Sequence, residues 1–273
     1  MRWHFWLGMG VGVTAGVLTR IGMRNSRRLT VTQHTVFIPE LPEAFDGFRL
    51  LQLSDLHLPR RDTMGARLLA LVAELAPDAV CLTGDYAFTA LSLAEVDTFF
   101  SQLASFPHVF AIYGNADYRP DITNVARQAW TRYFPFLTNT ALSLMRGDQA
   151  LWIAGVDDPH HGQDNLAAAM APVPIDAPVI LLAHSPEIIQ RRLDPRIRLI
   201  LTGHTHGGQI CLPNGIALYN NTTLPALFAS GRHRVAQADL YVSRGIGSTR
   251  LPLRFGCLPE VSVFTLRRGT TAS

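Results

Sequence analysis

The chain has too few cysteines for a disulfide framework. Only Cys81, Cys211 and Cys257 occur, an odd number, and two of them sit inside apolar segments where a thiol behaves as a small hydrophobe. That scarcity favours a reducing compartment. Long basic runs are missing as well: 24 basic residues exceed 21 acidic ones only slightly, for a formal net charge of +3. No basic stripe interleaved with aromatics is present, so nucleic acid is not expected as a partner, whereas an anionic surface or a small anionic substrate is. Internal repeats and low-complexity linkers are absent too. What remains is a 273-residue chain, 48% hydrophobic, long enough for one large core and too apolar to be disordered. The simplest division is a catalytic domain over residues 29–273 with a short appendage, residues 1–28.

That appendage begins with an uncharged run from Trp3 to Thr19. As a helix it would reach roughly 26 Å at about 1.5 Å per residue, against a hydrocarbon core of about 30 Å, a marginal membrane span. Arg20, Arg24, Arg27 and Arg28 follow it, and the positive-inside bias then puts the downstream domain on the cytoplasmic side of an inner membrane. The alternatives are a cleaved signal peptide, which would mean export, and a core helix. A signal peptide carries its charges before the apolar run, and no clear A-x-A site follows here.

Further along, apolar stretches of strand length alternate with helix-like ones: FRLLQLS, ARLLALVAELA, DAVCLTG, SLAEVDTFFSQLASF and VFAIYGN. This alternation reads as an α/β domain. Later strand candidates are ALWIAGV, APVILLAH, IRLILTG and VSVFTL, parted by Pro- and Gly-bearing loops. Asn220 to Ala236, broken by Pro225 and Gly231, reads as irregular.

Five of the apolar runs end in residues that bind metals: Asp55 and His57, Asp85, Asn115, His184, and His204 with His206. Singly, each has a plainer explanation, a turn or a helix cap for Asp, a satisfied polar residue for His. Together they converge, because the strands of an α/β sheet deliver their carboxyl ends to one crevice. Imidazoles and carboxylates suit Mn, Fe and Zn, and one carboxylate can bridge two cations. Such a pair lowers the pKa of a water and clamps the oxygens of an in-line displacement at phosphorus. Mn is the first choice of metal, with Fe or Zn as alternatives.

The segments D-L-H, G-D-Y, G-N-A-D, the single His184 and G-H-T-H-G-G-Q, in that order, resemble the calcineurin-like metallophosphoesterase superfamily over Phe48 to about Leu266. GHTHGGQICLP and the tail SRGIGSTRLPLRFGCLPEVSVFTL further resemble its membrane-associated, YkuE-like branch. The resemblance implies a four-layer sandwich of two mixed β-sheets flanked by helices. It also implies that Asp55, His57 and His206 hold one ion, that Asn115, His184 and His204 hold the other, and that Asp85 bridges them, with Asp85, Asn115 and His204 also catalytic. Most of the superfamily has His directly after the Asn; here that residue is Ala116. A missing general acid typically costs about 10²- to 10⁴-fold, unless the leaving group is good. UMP leaving a pyrophosphate is one, and the related UDP-2,3-diacylglucosamine hydrolases of lipid A synthesis also lack that His.

The expected function is therefore a dinuclear metal-dependent hydrolase of a phosphodiester or pyrophosphate, with a lipid-linked substrate as the narrower reading. The alternative, motivated by Ala116, is a non-catalytic metal-binding scaffold at the membrane. Arg60, Arg61, Arg244, Arg250 and Arg254 are candidates for the lost positive contact, with Arg61 read as a solvated surface charge. His160 and His161 read as loop polarity and stay outside the metal set. Nothing in the sequence points to an oligomeric state.

Overall fold

The computed structural model describes residues 16–60, 63–122, 124–249 and 251–270. Residues 16–25 are helical (α1). The four other helices are α2 (Met64–Leu75), α3 (Leu93–Leu103), α4 (Asn124–Trp130) and α5 (Leu166–Met170). The strands are β1 (Thr30–Ile38), β2 (Arg49–Leu53), β3 (Ala79–Leu82), β4 (Val109–Ala111), β5 (Thr140–Arg146), β6 (Gln149–Gly155), β7 (Val179–Leu182), β8 (Ile197–Thr202), β9 (Gly231–Val235), β10 (Ala238–Val242) and β11 (Glu260–Arg268). They form a five-stranded sheet in the order β1-β11-β2-β3-β4 and a six-stranded sheet in the order β5-β6-β7-β8-β10-β9. Both sheets are mixed: β2, β3 and β4 run parallel, as do β6, β7, β8 and β10, while β11 pairs antiparallel with β2 and β5 with β6.

Strand periodicity decides the layering. Leu50, Ala79 and Cys81 point inward and meet Ile153, Ile180, Leu182, Leu199 and Leu201 of the other sheet. Their neighbours Leu51, Leu53, Val80 and Leu82 point outward under Leu68 and Val72 of α2 and Val96 and Phe99 of α3. The outer face of the second sheet, with Ala154, Val179, Leu181 and Leu240, is covered by α5 and the turn around Ile188. Helices, sheet, sheet and helices make the four expected layers. Each of β2, β3, β7 and β8 is buried on both faces, which is why it reads as a continuous apolar run.

The apolar pattern did not reveal β1, β5, β9 or β10; β10 is buried throughout but short and interrupted by Asp239, and the other three have an open face. β1 alternates exposed and half-buried residues over its first half, β5 lies at a sheet edge, and β9 carries Arg232 and Arg234 outward with His233 turned to Phe228. β9 and the short helical turn Ala226–Ala229 correct the reading of Asn220–Ala236 as irregular. Of the membrane segment expected over residues 3–19, residues 3–15 lie outside the described residues. Among the described residues no helix is long and apolar enough to cross a membrane.

A second kind of packing holds the loop after β3. Tyr86 is fully buried, its ring edge-on to Phe100 and Trp130 at centroid distances of 5.0 and 5.7 Å, and its hydroxyl donates to the Ile112 carbonyl. Trp130→Ala should therefore cost about 3–5 kcal/mol in urea unfolding followed by circular dichroism. A loss below about 1 kcal/mol would mean that this aromatic cluster does not support the loop.

Candidate active site

All seven residues drawn from the sequence meet at the carboxyl ends of β2, β3, β4, β7 and β8. Asp55, His57, Asp85 and His206 are buried and offer one ligand atom each, all within 4.8 Å of one another. Beside them, Asn115 Oδ1 lies 2.9 Å from His184 Nε2 and 2.8 Å from His204 Nδ1, and those two nitrogens are 3.3 Å apart. Asp85 faces both groups, with Oδ2 3.4 Å from His57 Nε2 and Oδ1 3.4 Å from His184 Nε2. His206 Nε2 is 3.2 Å from His57 Nε2 and 3.4 Å from Asp55 Oδ1. Imidazole and carboxylate donors so converged fit a pair of divalent ions sharing Asp85.

The backbone is strained to bring them there. Asp55, His57, Asp85, His204 and His206 all adopt the left-handed conformation, with φ of 51°, 37°, 60°, 70° and 52°. Such residues cost on the order of 1–3 kcal/mol each and persist only where their surroundings over-determine them. Here the loops brace one another: Asp55 N donates to Gly84 O, His57 N to Asp85 O, Gly203 N to His184 O and Gly247 N to Asp55 O, at 2.7–3.0 Å. Space is as tight as the hydrogen bonding. A Cβ at Gly203 would collide with Ser54 Oγ and Asp55 Oδ2, so only glycine lets β8 pass this close to Asp55.

Burial and charge set the protonation of the cluster. Burial alone would raise Asp85, but the charge of His184, then of His57 and His204, holds it below the usual carboxylate range. The same attraction raises His184 well above an ordinary imidazole, against the opposing effect of burial. Burial and the His184 charge push His204 down to about 4, and burial with His57 and Arg254 lowers His206. Asp55, desolvated and near Asp85, is raised. His184 Nδ1 lies 2.7 Å from the Thr83 carbonyl, so its proton sits there and Nε2 is turned to Asn115 and Asp85.

Several residues that support this cluster went unread in the sequence. Asp117, the last residue of G-N-A-D, is fully buried and accepts from the backbone N–H of Asp85, Tyr86 and Gly114 at 2.9–3.0 Å, tying the β3 and β4 loops together. Ser54 donates to Asp55 at 2.6 Å, and the Asn221 amide lies 3.2 Å from His204 Nε2. Ala116 contributes its backbone N–H, which donates to Asp85 Oδ1 at 2.7 Å.

The arginine candidates fare unequally. Arg61 and Arg250 lie outside the described residues. Arg60 is exposed, and Arg244 is engaged with Glu260 at 2.7 Å. Arg254 is completely buried and donates to the carbonyls of Gly245, Gly247 and His206, so it braces the β8 loop and does not reach a substrate. The arginine on the cleft is Arg119, which shares a recess of about 400 Å³ with Asp85, Asn115, Ala116, His204 and Thr249. Its Nη2 donates to the carbonyls of Ala87 and Phe88, and its Nε lies 3.7 Å from the half-exposed Asp121 carboxylate. His160 also corrects its reading as loop polarity: its ring packs 4.5 Å from that of His204, and its Nδ1 lies 3.0 Å from the buried Glu187 carboxylate. His161 turns instead to Asp158, at 2.5 Å.

Residues 48–208 match the calcineurin-like phosphoesterase family. Among curated proteins, the uncharacterized metallophosphoesterase YkuE of Bacillus subtilis is 32% identical, covering 97% of this chain and 97% of that protein. The phosphodiesterase YaeI of Escherichia coli is 30% identical over 80% of this chain and 82% of its own length. A transmembrane protein with a metallophosphoesterase domain from Danio rerio is 28% identical over 94% of this chain, which spans 62% of that protein.

Ligand imidazoles must be unprotonated to bind an ion, and the charge of Asp85 strengthens the hold of His184 on its proton, so ion binding should release protons and weaken as pH falls. Titration calorimetry with Mn in two buffers of different ionisation enthalpy measures this. A binding heat that does not depend on the buffer would contradict it.

Proposed function

Because this chain belongs to the calcineurin-like phosphoesterase family, we propose that it hydrolyses a phosphodiester or pyrophosphate in a lipid-linked substrate such as UDP-2,3-diacylglucosamine, an intermediate of lipid A synthesis. The hydrolysis of phosphoester bonds comes with the family; the substrate is our reading. The observation that carries the reaction is Asp85, set between two groups of donors with one oxygen toward each. Asp55, His57 and His206 would hold one divalent ion and Asn115, His184 and His204 a second, with Mn favoured over Fe or Zn. When bound, the ions withdraw charge from an attacking water and from the phosphoryl oxygens.

The chain's own groups do the rest. Thr83 fixes the tautomer of His184, Asp117 holds the Asp85 loop against the Asn115 loop, and the Ala116 N–H caps the shared carboxylate. Ala116 supplies no side-chain acid, which supports a substrate whose leaving group departs without one, as UMP does. Arg119 lines the same recess, and a guanidinium there suits a second anionic group such as that of a pyrophosphate. The apolar run 3–19 and the arginines after it support attachment to an inner membrane with this domain on the cytoplasmic side; export is the alternative. The same Ala116 favours one competing reading, a metal-binding scaffold without turnover.

The deciding experiment is a steady-state assay of the Mn-loaded chain with UDP-2,3-diacylglucosamine, bis-aryl and monoaryl phosphates. Release of UMP at the highest kcat/KM supports the proposal, turnover of the aryl diesters alone removes the lipid substrate, and silence on all three favours the scaffold. Losing an outer partner of a metal site commonly costs about 10–100-fold, so Asp85→Asn should lose more than about a hundredfold in kcat with an unchanged circular dichroism spectrum. Arg119→Ala should raise KM for the pyrophosphate about ten- to a hundredfold, the worth of a hydrogen bond to a charged group, and leave KM for a monoaryl phosphate nearly unchanged. Equal effects on both substrates would deny Arg119 that role.

A further inference from the structure

Directly after the last metal-binding motif, residues 210–218 form a small hairpin whose pattern is inverted. Leu212 N donates to Ile216 O, Leu218 N to Ile210 O, and the turn closes with Gly215 N to Leu212 O. Successive residues of a strand point to opposite faces. The inward face carries the small residues Cys211 and Ala217, bridged across the hairpin, with Cys211 Sγ donating to Gly207 O and Ala217 lying under Gly208. The outward face carries Ile210, Leu212, Ile216 and Leu218, between 36% and 62% exposed. Four aliphatics in register on the solvent side of a hairpin form an unusual surface for a globular domain.

This surface continues on both sides. Tyr219, 70% exposed, and Leu251, 61% exposed, follow it to the recess at His206 and Thr249. Phe255 pairs with Ile210 and supports Gly22 of α1, whose next residues are held by Arg254 N to Gly22 O and by Asn25 Nδ2 to Arg254 O. On α1 itself Val17, Leu18 and Ile21 are exposed, and Arg20 and Arg24 accompany them. The three stretches of sequence that build this face contain no carboxylate: there is none before Glu40, none between Asp194 and Asp239, and none between Asp239 and Glu260. The chain as a whole carries 21 acidic residues, so the segregation is specific to these segments.

We propose that this face, the 210–218 hairpin with Tyr219, Leu251 and α1, lies on an anionic phospholipid bilayer, so that the catalytic recess opens at the membrane surface. Exposed aliphatics on segments that carry arginines and no carboxylate suit the boundary between acyl chains and anionic headgroups. A second copy of this chain is disfavoured by the same charges, since a two-fold contact through this face would bring arginines against arginines. The inference rests on the lipid-linked reading above for its biological sense and on the hairpin and the charge segregation for its physics.

Hydrogen exchange of the full-length protein, with and without vesicles of phosphatidylglycerol and phosphatidylethanolamine, tests it. The amides of 210–218 should exchange about tenfold more slowly with vesicles present, while those of β5 and β6 should not change. The double variant Ile216→Glu, Leu218→Glu should lose that protection and keep its turnover of a soluble bis-aryl phosphate. Lipid-dependent protection confined to α1 would overturn the proposal, because the hairpin would then face water. Protection that grows with protein concentration in the absence of lipid would overturn it in favour of a second copy. Loss of bis-aryl turnover by the unaltered protein would count against the catalytic reading alone.

Discussion

Asp85 lies buried between His57, His184 and His204, and much of the molecule is arranged to keep it there. A carboxylate taken out of water is costly unless charge and hydrogen bonds surround it. It receives the Ala116 N–H on one oxygen and faces imidazoles on both, while its backbone N–H goes to Asp117. The price in strain falls on the backbone, with five of the seven converging residues in left-handed conformation. Only a rigid frame can hold such strain, and parallel strands buried on both faces, gripped by helices outside and by the opposite sheet inside, are that frame.

The frame explains why the site could be read before the fold was seen. Buried parallel strands leave an apolar signature, and β2, β3, β4, β7 and β8 each carry the chemistry at their carboxyl ends, so Asp55, His57, Asp85, Asn115, His184, His204 and His206 announced themselves by position. Of the strands that escaped, β1, β5 and β9 have a wet face and therefore no continuous apolar run, whereas β10 is buried throughout but short and interrupted by Asp239. None of them contributes a donor to the cluster. Burial was not sufficient for legibility, since β10 is as buried as the donor-bearing strands; those stood out because an apolar run and a metal-binding residue came together.

The supporting residues were illegible for a different reason. Asp117 works through three backbone N–H groups drawn from two loops, and Arg254 through carbonyls of three residues, one of them nearly fifty positions away. Nothing local in the sequence distinguishes a buried arginine that braces a loop from an exposed one that meets a substrate. Arg119 was missed for the converse reason: it follows the Asn115 motif by one helical turn, and only the closeness of the β3 and β4 loops puts it on the cleft wall. His160 was discounted as a loop residue because its partner Glu187 comes from the turn after β7.

The loop between β8 and β9 joins these threads. It begins with the donors His204 and His206, is braced from beneath by Arg254 and Cys257, and then turns its aliphatic side chains outward at Ile210. A loop that served only to hold the cluster would gain by burying those side chains, since each exposed aliphatic forgoes the favourable transfer out of water. Cys211 and Ala217, which face inward, are small enough to fill the space beneath the hairpin, so the outward set is what the backbone twist leaves free to meet a partner. The last donor, His206, and the start of the hairpin, Ile210, are only a few residues apart. Any surface that engages the hairpin therefore also fixes the orientation of the recess that His204 and His206 line, and a substrate carried by that surface would reach the cluster without leaving it.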